Sequence, residues 1–397
     1  MTRPPATEVK DAARLAAASF TSVHGRPPQG VWSAPGRVNL VGEHTDYNGG
    51  CVLPFALPHR TAVAVAPRGD RLLTIATLGS DGRVQRAEPV ELRHLRPGRP
   101  SGWAAYVAGV AWVLRDHGIE LGADLVVATD VPAGAGLASS AALECATALA
   151  LLGVAEQPSP DDAQRATIAR WAQRAENDFV GVPTGVLDQM ASLCCIADHV
   201  LFFDVSTDHR EQVPFAAEAA NLAVLVIDTR VRHRNSESGY ADRRRATDNA
   251  ARLLGLGSLG ELTPADLADA LVAVPRQLRP LVHHVVTENA RVLDVVRLLR
   301  QHRYADIGPL LDASHDSLRD DYRVSSPELD LAVHLARSAG ALGARMTGAG
   351  FGGSAIALVH TEALPRVASA IGRGFRSARL RAPRLFTAVP SQGAGLG

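Results

Sequence analysis

The alternation of apolar and polar positions divides the first half of the chain into strand-like and helix-like stretches. Short apolar runs separated by turn residues fill residues 31–66 and predict several strands, with further strands over 71–93. Apolar residues at helical spacing predict a helix over 103–118. A short apolar strand over 124–132 then leads into a glycine loop and a helix over 133–153.

The second half continues in the same mixed way. A helix is predicted from Asp161 to about Val180, a strand over 221–229, and a glycine-rich turn with a strand over 341–360. Further helical patterns cover 240–256, 285–302, 305–319 and 327–340. Because strands and helices do not alternate as regular βαβ units, we expect an α+β fold in two layers, with domains over 1–215 and 216–397.

Composition fits this picture and narrows the function. The chain has 397 residues, with 46% hydrophobic and 21% charged, which suits two packed globular domains. The 41 basic and 41 acidic residues give a net charge of +0, so no overall field favours nucleic acid or an anionic membrane. Four cysteines without C-x-x-C spacing indicate reduced thiols in a cytoplasmic protein. The first twenty residues predict an amphipathic helix and not a signal peptide.

The lysine content excludes two common classes of nucleotide-phosphate site. Lys10 is the only lysine in the sequence, and the other basic residues are arginines. A Walker A loop requires Gly-Lys-Ser/Thr, and a protein-kinase core requires a lysine on its third strand. Lys10 lies in neither context. A phosphate site in this chain would therefore depend on a helix dipole and a metal ion.

The first motif is 35-PGRVNLVGEHTDYNGG-50, which places Arg37, Glu43, His44 and Asp46 directly after an apolar run. Sugar hydroxyls both donate and accept hydrogen bonds, so carboxylates and an imidazole on a rigid turn can hold several of them. The alternative is a polar turn between two strands, with Asp46 or Asn48 capping a helix. The density of polar side chains favours a polyol-binding site.

The second motif is 132-PAGAGLASSAALE-144, a glycine loop between a predicted strand and a helix. Gly134 and Gly136 would let the main chain approach an anion closely. Ser139 and Ser140 fall in the first helical turn, where free N–H groups and the helix dipole favour negative charge, and a serine hydroxyl can reach a magnesium ion. The alternative is a serine N-cap on a core helix.

The third motif is 346-MTGAGFGGSAIALV-359, in which Gly348, Gly350 and Gly353 formally match G-x-G-x-x-G. We expect a helix before it and a strand after it, the reverse of the order in a dinucleotide-binding domain. By itself this pattern favours a tight helix-to-strand connection.

Two further carboxylates lie in 173-QRAENDFVGVPTGVLDQM-190. Glu176 is predicted near a helix end, and Asp188 follows a Pro-Thr-Gly turn. Carboxylates in apolar surroundings are uncommon unless they are paired, and a metal for Glu176 and an arginine for Asp188 would supply that pairing. The alternative is two surface acids on helix edges.

Together these stretches resemble the GHMP small-molecule kinases, and within them the galactokinases. The first motif is similar to the signature G-R-x-N-L-x-G-E-H-T-D-Y-N-x-G, the second to the phosphate loop P-x-x-x-G-L-x-S-S-A, and the third to the C-terminal glycine motif. The resemblance runs from about residue 20 to 390 in the same order. Ala138 and Ala349 stand where galactokinases commonly have serine and glycine, and both are small enough to preserve function.

The resemblance implies a fold and an activity. It implies a ribosomal-protein-like N-terminal domain, a ferredoxin-like C-terminal domain and a site between them. The implied reaction is transfer of a phosphoryl group from ATP to the C1 hydroxyl of α-D-galactose, with Mg²⁺, in a protein that is a monomer or a weak homo-oligomer and binds neither nucleic acid nor membrane. Arg37 and Asp188 would form the catalytic pair, in which the guanidinium keeps the carboxylate as an anion.

The remaining site residues are also implied by resemblance. The galactose-binding set is Glu43, His44, Asp46, Gly185 and Tyr240. The magnesium ligands are Ser140 and Glu176. The ATP-binding set is Pro132, Gly134, Ala135, Gly136, Leu137, Ala138, Ser139, Ser140 and Trp103, with Tyr106 also near adenine.

Three alternatives stay open from the sequence. A related kinase acting on another sugar or polyol differs from this one by a few side chains, because one residue can move the specificity for one hydroxyl. A non-catalytic galactose sensor would keep the fold and signal by domain closure. A nucleic-acid binder would use the arginines of 230–234 and 243–245, although the absence of net charge and of interleaved aromatic residues disfavours it.

Overall fold

The computed structural model describes residues 11–232 and 236–397. Part of the predicted N-terminal helix and part of the arginine-rich stretch 230–234 therefore lie outside the described residues. The helices are α1 (Ala12–His24), α2 (Ala104–Arg115), α3 (Ser139–Val154), α4 (Asp162–Arg174), α5 (Leu187–Cys194), α6 (Ser236–Leu253), α7 (Leu267–Ala273), α8 (Arg279–Arg300), α9 (Gly308–Asp320), α10 (Pro327–Ser338) and α11 (Leu364–Ser377). The strands are β1 (Gly30–Asn39), β2 (Cys51–Val52), β3 (Pro54–Arg68), β4 (Leu72–Leu78), β5 (Val84–Arg86), β6 (Val90–Glu91), β7 (Gly122–Thr129), β8 (His199–Asp204), β9 (His209–Pro214), β10 (Leu222–Arg232), β11 (Gly343–Thr347), β12 (Gly352–His360), β13 (Arg384–Ala388) and β14 (Gly395–Leu396).

The strands form three sheets. The first has the order β14-β1-β3-β7-β4-β5, with β6 on the edge of β4, and its β4–β7 pair is parallel. The second sheet has the order β11-β12-β10-β13 and is antiparallel, and the third has the order β2-β8-β9. Helix α3 packs on β1 and β3, and α10 packs on β11 and β12. This layered mixture confirms the predicted α+β fold class.

A shared apolar core joins the two halves beneath the predicted site. Val38 and Phe55 of the first sheet lie in the same buried cluster as Val226 and Ile356 of the second sheet, and Val292 of α8 packs into it as well. All five side chains are fully buried. Because a close-packed core is hard to compress, it can hold residues of the two halves at fixed distances from each other.

Most helices and strands form where the sequence pattern predicted them, but the prediction for the third glycine motif needs a correction. The predicted helix over 103–118 is α2. The predicted helix after the glycine loop of the second motif, residues 132–140 and here called the phosphate-type loop, is α3. The third motif, however, follows strand β11 and connects it to β12, so it is a strand-to-strand turn. The prediction of a helix before it was wrong because β11 is only five residues long and buried throughout, which leaves no alternation to detect.

The end of the chain returns to the first half. Leu396 of β14 pairs with Trp32 of β1. The predicted boundary near residue 215 falls between β9 of the third sheet and β10 of the second, and it stays a prediction. None of the helices that the structure describes has the length and apolar character needed to span a bilayer.

Candidate active site

One cleft collects every predicted sugar-binding and catalytic residue. Its volume is about 180 Å³. The lining from the predictions comprises Arg37, Glu43, His44, Asp46, Gly185, Asp188 and Tyr240. The remaining lining is Val182, Pro183, Thr184, Leu187, Gly348 and Ala349. The first motif, the loop before α5, helix α6 and the third glycine motif therefore meet at a single place.

Arg37 reaches the cleft through an irregularity in strand β1. The register of the β1–β3 pair shifts between Pro35 and Arg37, and such bulges re-aim the side chain that follows. The residue between them, Gly36, lies so close to the phosphate-type loop that a Cβ atom there would be 2.6 Å from the Leu137 carbonyl oxygen. A glycine is thus required for the strand to pass this loop.

The Arg37 guanidinium connects the phosphate-type loop to Asp188. Its Nε donates to Asp188 Oδ1 at 2.8 Å, and its Nη1 donates to the Gly136 carbonyl at 2.6 Å. Arg37 is buried, whereas the Asp188 side chain is 27% exposed and faces the cleft from the first turn of α5. The arrangement holds a charge-assisted pair with one carboxylate face open to a ligand.

The Glu43 carboxylate is surrounded by donors from both halves of the chain. Its Oε1 accepts from the Gly348 amide at 2.6 Å and from Thr347 Oγ1 at 3.0 Å. Its Oε2 accepts from Asn39 Nδ2 and lies 3.1 Å from Nη2 of the fully buried Arg345. These contacts hold the third glycine motif against the first motif, and they occupy much of the accepting capacity of Glu43.

His44 has an unusual backbone and a neutral ring. Its φ of 64° is in the left-handed region, which is sparsely populated by residues other than glycine and is found at functional sites. Its Nδ1 lies 2.9 Å from the Tyr47 hydroxyl. Burial, reinforced by the nearby His284, lowers its pKa to about 3, so the imidazole carries no charge near neutral pH.

Asp46 is held by the loop that leads into α5. Its Oδ2 accepts from the Leu187 amide at 3.3 Å. A Cβ atom on Gly185 would lie 1.7 Å from the same oxygen, so the loop can approach this carboxylate only with glycine. Burial, followed by the charge of Asp188, raises the pKa of Asp46 to about 6. Tyr240 accepts from the Gly185 amide at 3.3 Å and closes this side of the cleft.

The phosphate-type loop ends in an open helix N-terminus. Helix α3 begins at Ser139, and the preceding Ala138 has a left-handed φ of 58° and no side-chain cap. The loop is fixed from the other half of the chain, because Ser354 Oγ donates to the Ala135 carbonyl at 2.7 Å. The first-turn N–H groups of α3 are the kind that bind phosphate oxygens.

Glu176 lies on a π-helical turn, Ala175–Val180, beside this helix start. Its Oε2 accepts from Gln189 Nε2 at 2.7 Å and from Thr184 Oγ1 at 3.1 Å, and the Ser140 hydroxyl also hydrogen-bonds to it. Burial, followed by the charge of Asp188, raises the pKa of Glu176 to about 7. The two predicted metal ligands are therefore in contact with each other.

A second buried carboxylate lies behind Glu176. Gln189 Nε2 also donates to Glu144 Oε2, at 3.0 Å, so one amide group bridges two glutamates. Oxygen Oε1 of each of Glu144 and Gln189 has no hydrogen-bond partner among the described residues. The described residues contain no group of three His, Cys, Asp or Glu side chains suited to a metal cage. One carboxylate and one hydroxyl nevertheless suit Mg²⁺, which takes its other ligands from water and substrate phosphates.

The sequence did not indicate several residues that the structure brings to the site. Thr184 and Leu187 line the cleft, Gln189 bridges Glu144 and Glu176, and Arg345 supports Glu43. A small-residue loop beside Asp188 was the available signal for Thr184. Nothing in the sequence pattern singles out Gln189 or Arg345, because they meet the site only through tertiary contacts.

The predicted adenine contacts lie apart from the cleft lining. Trp103 directly precedes α2 and packs half-buried against the core of the first sheet. Tyr106 is half-buried in the first turns of the same helix. Their role stays a prediction.

Three protein-family models match the chain. The galactokinase galactose-binding signature matches residues 18–67, the GHMP kinase N-terminal domain matches 105–195, and the GHMP kinase C-terminal domain matches 295–377. The first of these ranges contains the whole of the turn that carries Glu43, His44 and Asp46.

Relatives named as galactokinases and solved structures agree with these matches. The chain is 49% identical to the galactokinase of Streptomyces coelicolor over 94% of its own length and 96% of the relative, and 40% identical to that of Mycobacterium tuberculosis H37Rv over 91% and 98%. The Lactococcus lactis galactokinase complexed with galactose superimposes with a TM-score of 0.88 at 30% identity, covering 96% of this chain and 98% of that one. A mevalonate kinase, at 17% identity and a TM-score of 0.62 over 90% and 98% of the two chains, shares the fold. The chain belongs to the galactokinase family of the GHMP kinases.

Proposed function

We propose that the protein transfers the γ-phosphoryl group of ATP to the C1 hydroxyl of α-D-galactose, giving galactose 1-phosphate and ADP. The observation that carries this proposal is the Arg37 guanidinium, which bonds Asp188 in the sugar cleft and the Gly136 carbonyl in the phosphate-type loop. One side chain thus joins the two places where the reactants would bind. The galactose bound in the L. lactis relative and the galactokinase relatives support the choice of sugar.

Asp188 would act on the attacking hydroxyl. Phosphoryl transfer depends mainly on positioning and on stabilisation of charge. The open face of the Asp188 carboxylate can accept a hydrogen bond from the C1 hydroxyl, while Arg37 holds the other face. In this position the carboxylate either takes the hydroxyl proton late in the transfer or orients and polarises the hydroxyl.

The sugar would be held by the turn that carries His44 and Asp46, together with the Gly185 loop and Tyr240. Asp46 is an acceptor for sugar hydroxyls, and the Tyr240 hydroxyl offers a donor close to it. Glu43 lines the cleft while it joins the two halves of the chain, so its carboxylate would set the position of the sugar-facing loops. Binding the ring at several points would aim C1 at the γ-phosphate.

ATP would bind through the loop from Pro132 to Ser140, with its phosphates at the start of α3. Ser140 and Glu176 would hold Mg²⁺, which when bound neutralises charge on the phosphates. Burial suits Glu176 to this role, because the ion pairs of the described residues give it no basic partner and burial, followed by the charge of Asp188, raises its pKa to about 7.

The test is ADP release with ATP and magnesium against galactose, glucose, mannose, arabinose, N-acetylgalactosamine and mevalonate, with products identified by mass and phosphorus NMR. Galactose-dependent turnover to the 1-phosphate is expected. Turnover on another compound would move the specificity and keep the kinase. Binding of galactose and ATP without turnover would indicate a sensor.

The cellular location and assembly follow as smaller proposals. The four cysteines, Cys51, Cys145, Cys194 and Cys195, are all free thiols, which suits a reducing compartment such as the cytoplasm. Cell fractionation tests this location. Light scattering tests the expected monomer or weak homo-oligomer.

A further inference from the structure

The imidazole of His44 lies in a group of aromatic rings on the wall of the cleft. Its centroid is 4.9 Å from that of Tyr322, 5.6 Å from that of Tyr240 and 5.9 Å from that of Tyr47. The residue is only 4% exposed. The main chain of Ala349 lies close enough to raise the pKa of the ring, yet Nε2 makes no well-formed hydrogen bond among the described residues. A ligand in the cleft can therefore supply a hydrogen-bond partner for this buried ring nitrogen.

The opposite nitrogen of this ring leads into a short chain of hydroxyl groups. Nδ1 is 2.9 Å from the Tyr47 hydroxyl, and this hydroxyl is 2.8 Å from the hydroxyl of Tyr322. Tyr322 follows α9 in the second half of the sequence and is completely buried. The chain therefore connects the ring of His44 to a residue 278 positions away by sequence number, outside all three motifs.

Distances alone do not give this chain a direction, because either hydroxyl can donate in the Tyr47–Tyr322 pair and Tyr322 also hydrogen-bonds to Asn48 and Thr247. The main chain of Ala349 supplies the direction. It raises the pKa of the His44 ring, as an accepting carbonyl does, and it faces Nε2 because Tyr47 occupies Nδ1. A carbonyl only accepts, so the hydrogen lies on Nε2 and Nδ1 accepts from Tyr47. Since each tyrosine hydroxyl has one proton, Tyr322 then donates to Tyr47.

We propose that Tyr322 and Tyr47 are positioning residues that hold neutral His44 in the tautomer with its hydrogen on Nε2, so that the ring presents a donor to the sugar. The identity of the ligand rests on the proposed function, whereas the tautomer does not. Asp46 on the same turn presents an acceptor. The cleft would then recognise one sugar by a fixed pair of complementary groups, a donor from His44 and an acceptor from Asp46.

A donor at this point has a specific chemical consequence. A sugar oxygen and a sugar fluorine both accept hydrogen bonds, whereas the carbon-bound hydrogen of a deoxy sugar does not. A bare Nε2 would instead require a hydroxyl and would reject fluorine. At the galactose position that meets His44, the fluoro analogue should therefore bind at least about twofold more tightly than the deoxy analogue, the lower end of the range of one hydrogen bond, because carbon-bound fluorine is a weaker acceptor than oxygen.

The direct test is the protonation state of the His44 nitrogens in the protein without sugar. Long-range proton–nitrogen NMR on protein labelled at histidine distinguishes a protonated ring nitrogen from a bare one, and His44→Gln and His44→Asn variants assign the signals. We expect hydrogen on Nε2 and a bare Nδ1. In Tyr47→Phe, and in Tyr322→Phe, the ring should become a mixture of tautomers. Hydrogen on Nδ1 in the wild-type protein, or an unchanged single tautomer in both phenylalanine variants, would overturn the proposal.

A matched control exists elsewhere in the molecule. Tyr304 makes the same kind of contact, with its hydroxyl 2.9 Å from His302 Nδ1, in a turn away from the cleft. Tyr304→Phe should leave the His44 signals and galactose binding unchanged. Calorimetry with fluoro and deoxy galactoses forms the second readout: Tyr322→Phe should reduce the preference for the fluoro analogue to less than twofold. A retained preference would count against the relay.

The NMR measurement and the activity assay test this inference and the proposed function separately. The NMR signature requires neither ATP nor turnover, so it stands if the substrate proves to be a different sugar. Loss of galactose phosphorylation with the expected tautomer present would remove the proposed substrate and leave the assignment of His44 in place.

Discussion

Two groups of buried carboxylates lie next to residues of the cleft, and their charges are balanced in different ways. In the first group, Arg345 lies 3.1 Å from Glu43 and 3.8 Å from Glu288, and Arg291 Nε donates to Glu288 at 2.7 Å. In the second group, Glu176 and Glu144 share only the neutral amide of Gln189. The first group therefore contains arginines that pair with its carboxylates, whereas the second group contains no basic side chain in its hydrogen bonds.

The pKa values follow this difference at Glu288 but not at Glu43, where burial raises the pKa even though Arg345, the Gly348 amide and Arg37 lower it. Burial alone would raise the pKa of Glu288, but Arg291, His284 and Arg345 bring it down to about 2. Burial and a neighbouring carboxylate raise the pKa of Glu176 to about 7, and burial raises that of Glu144 well above its usual value. The first group contains basic partners for its carboxylates without a ligand. Because it connects the two halves of the chain, it is here called the joint. The second is completed by a proton or by a cation that arrives with the nucleotide.

Asp188 stands between the two groups, and its substitution should have the largest effect. It is paired with Arg37 like a member of the first group, yet its charge acts on Glu176 in the second. Asp188→Asn keeps the shape and removes the charge. We expect galactose affinity to change by less than about threefold and kcat to fall by about 10²–10⁴-fold, the usual contribution of a positioned base.

Steady-state kinetics and calorimetry on the same preparation measure these two quantities. Asp178→Asn is the control, since this exposed carboxylate pairs with Arg174 on the far side of the π-helical turn. Near-normal turnover of Asp188→Asn would take Asp188 out of the reaction.

The next largest effect tests the joint formed by the first group. Glu43→Gln leaves the buried Arg345 without one of its two carboxylates and replaces an acceptor of the Gly348 amide. Removing one partner of a buried ion pair costs about 3–5 kcal/mol in the free energy of unfolding. Urea denaturation measures this loss. Glu211→Gln, which breaks the exposed pair with Arg300, should cost less than about 1 kcal/mol. Equal losses in the two variants would refute the joint.

The difference between these groups also shows what the sequence predicted and what it did not. The motif residues Arg37, Glu43, His44 and Asp46 were predicted correctly to lie together, because a short turn after a strand keeps them close whatever the rest of the chain does. Gly185 and Tyr240 reached the same cleft, as the resemblance implied.

The partners that balance the charges were not predictable in the same way. Arg345 lies on β11, a five-residue strand whose pattern gave no sign of a strand. Gln189 is one position from Asp188, but its function depends on Glu144 being 45 positions earlier and directly opposite in space. The hairpin of β8 and β9 was missed as well, because its runs are short. Helix α11 was also missed, although its buried residues Leu364, Val367, Ile371 and Phe375 recur at helical spacing and the sequence therefore contained its pattern. The functions of Arg345 and Gln189, by contrast, depend on tertiary contacts that pattern and spacing do not contain.

The free energy of unfolding should depend on pH through the second group, and we expect this effect to be of intermediate size. A carboxyl whose pKa is raised in the folded state binds its proton more tightly there than in the unfolded chain. Its contribution to stability is therefore present below about pH 4.5 and is lost as the pH rises through about 7. For Glu176 this loss is about 3 kcal/mol.

Denaturation at several pH values, in the protein without nucleotide, measures this slope. Glu176→Gln should remove about 2 kcal/mol of the decline between pH 5 and pH 8. Magnesium with ADP should stabilise the wild-type protein more at pH 8 than at pH 5.5, since the carboxylate must be ionised to bind it. A slope that is identical in the variant would show that Glu176 ionises normally.

The smallest effect is expected at Glu144, and it distinguishes the two groups most directly. Burial raises the pKa of this carboxyl well above its usual value and so favours the neutral acid, for which a glutamine is a neutral replacement of the same shape. Glu144→Gln should change the free energy of unfolding at pH 7 by less than about 1 kcal/mol, although Glu144 is as deeply buried as Glu43. The same substitution at Glu43 removes a carboxylate oxygen that lies 3.1 Å from Nη2 of the buried Arg345. Urea denaturation of the two variants side by side measures the contrast. A loss at Glu144 as large as the loss at Glu43 would mean that the second group holds an ionised carboxylate with a cation of its own.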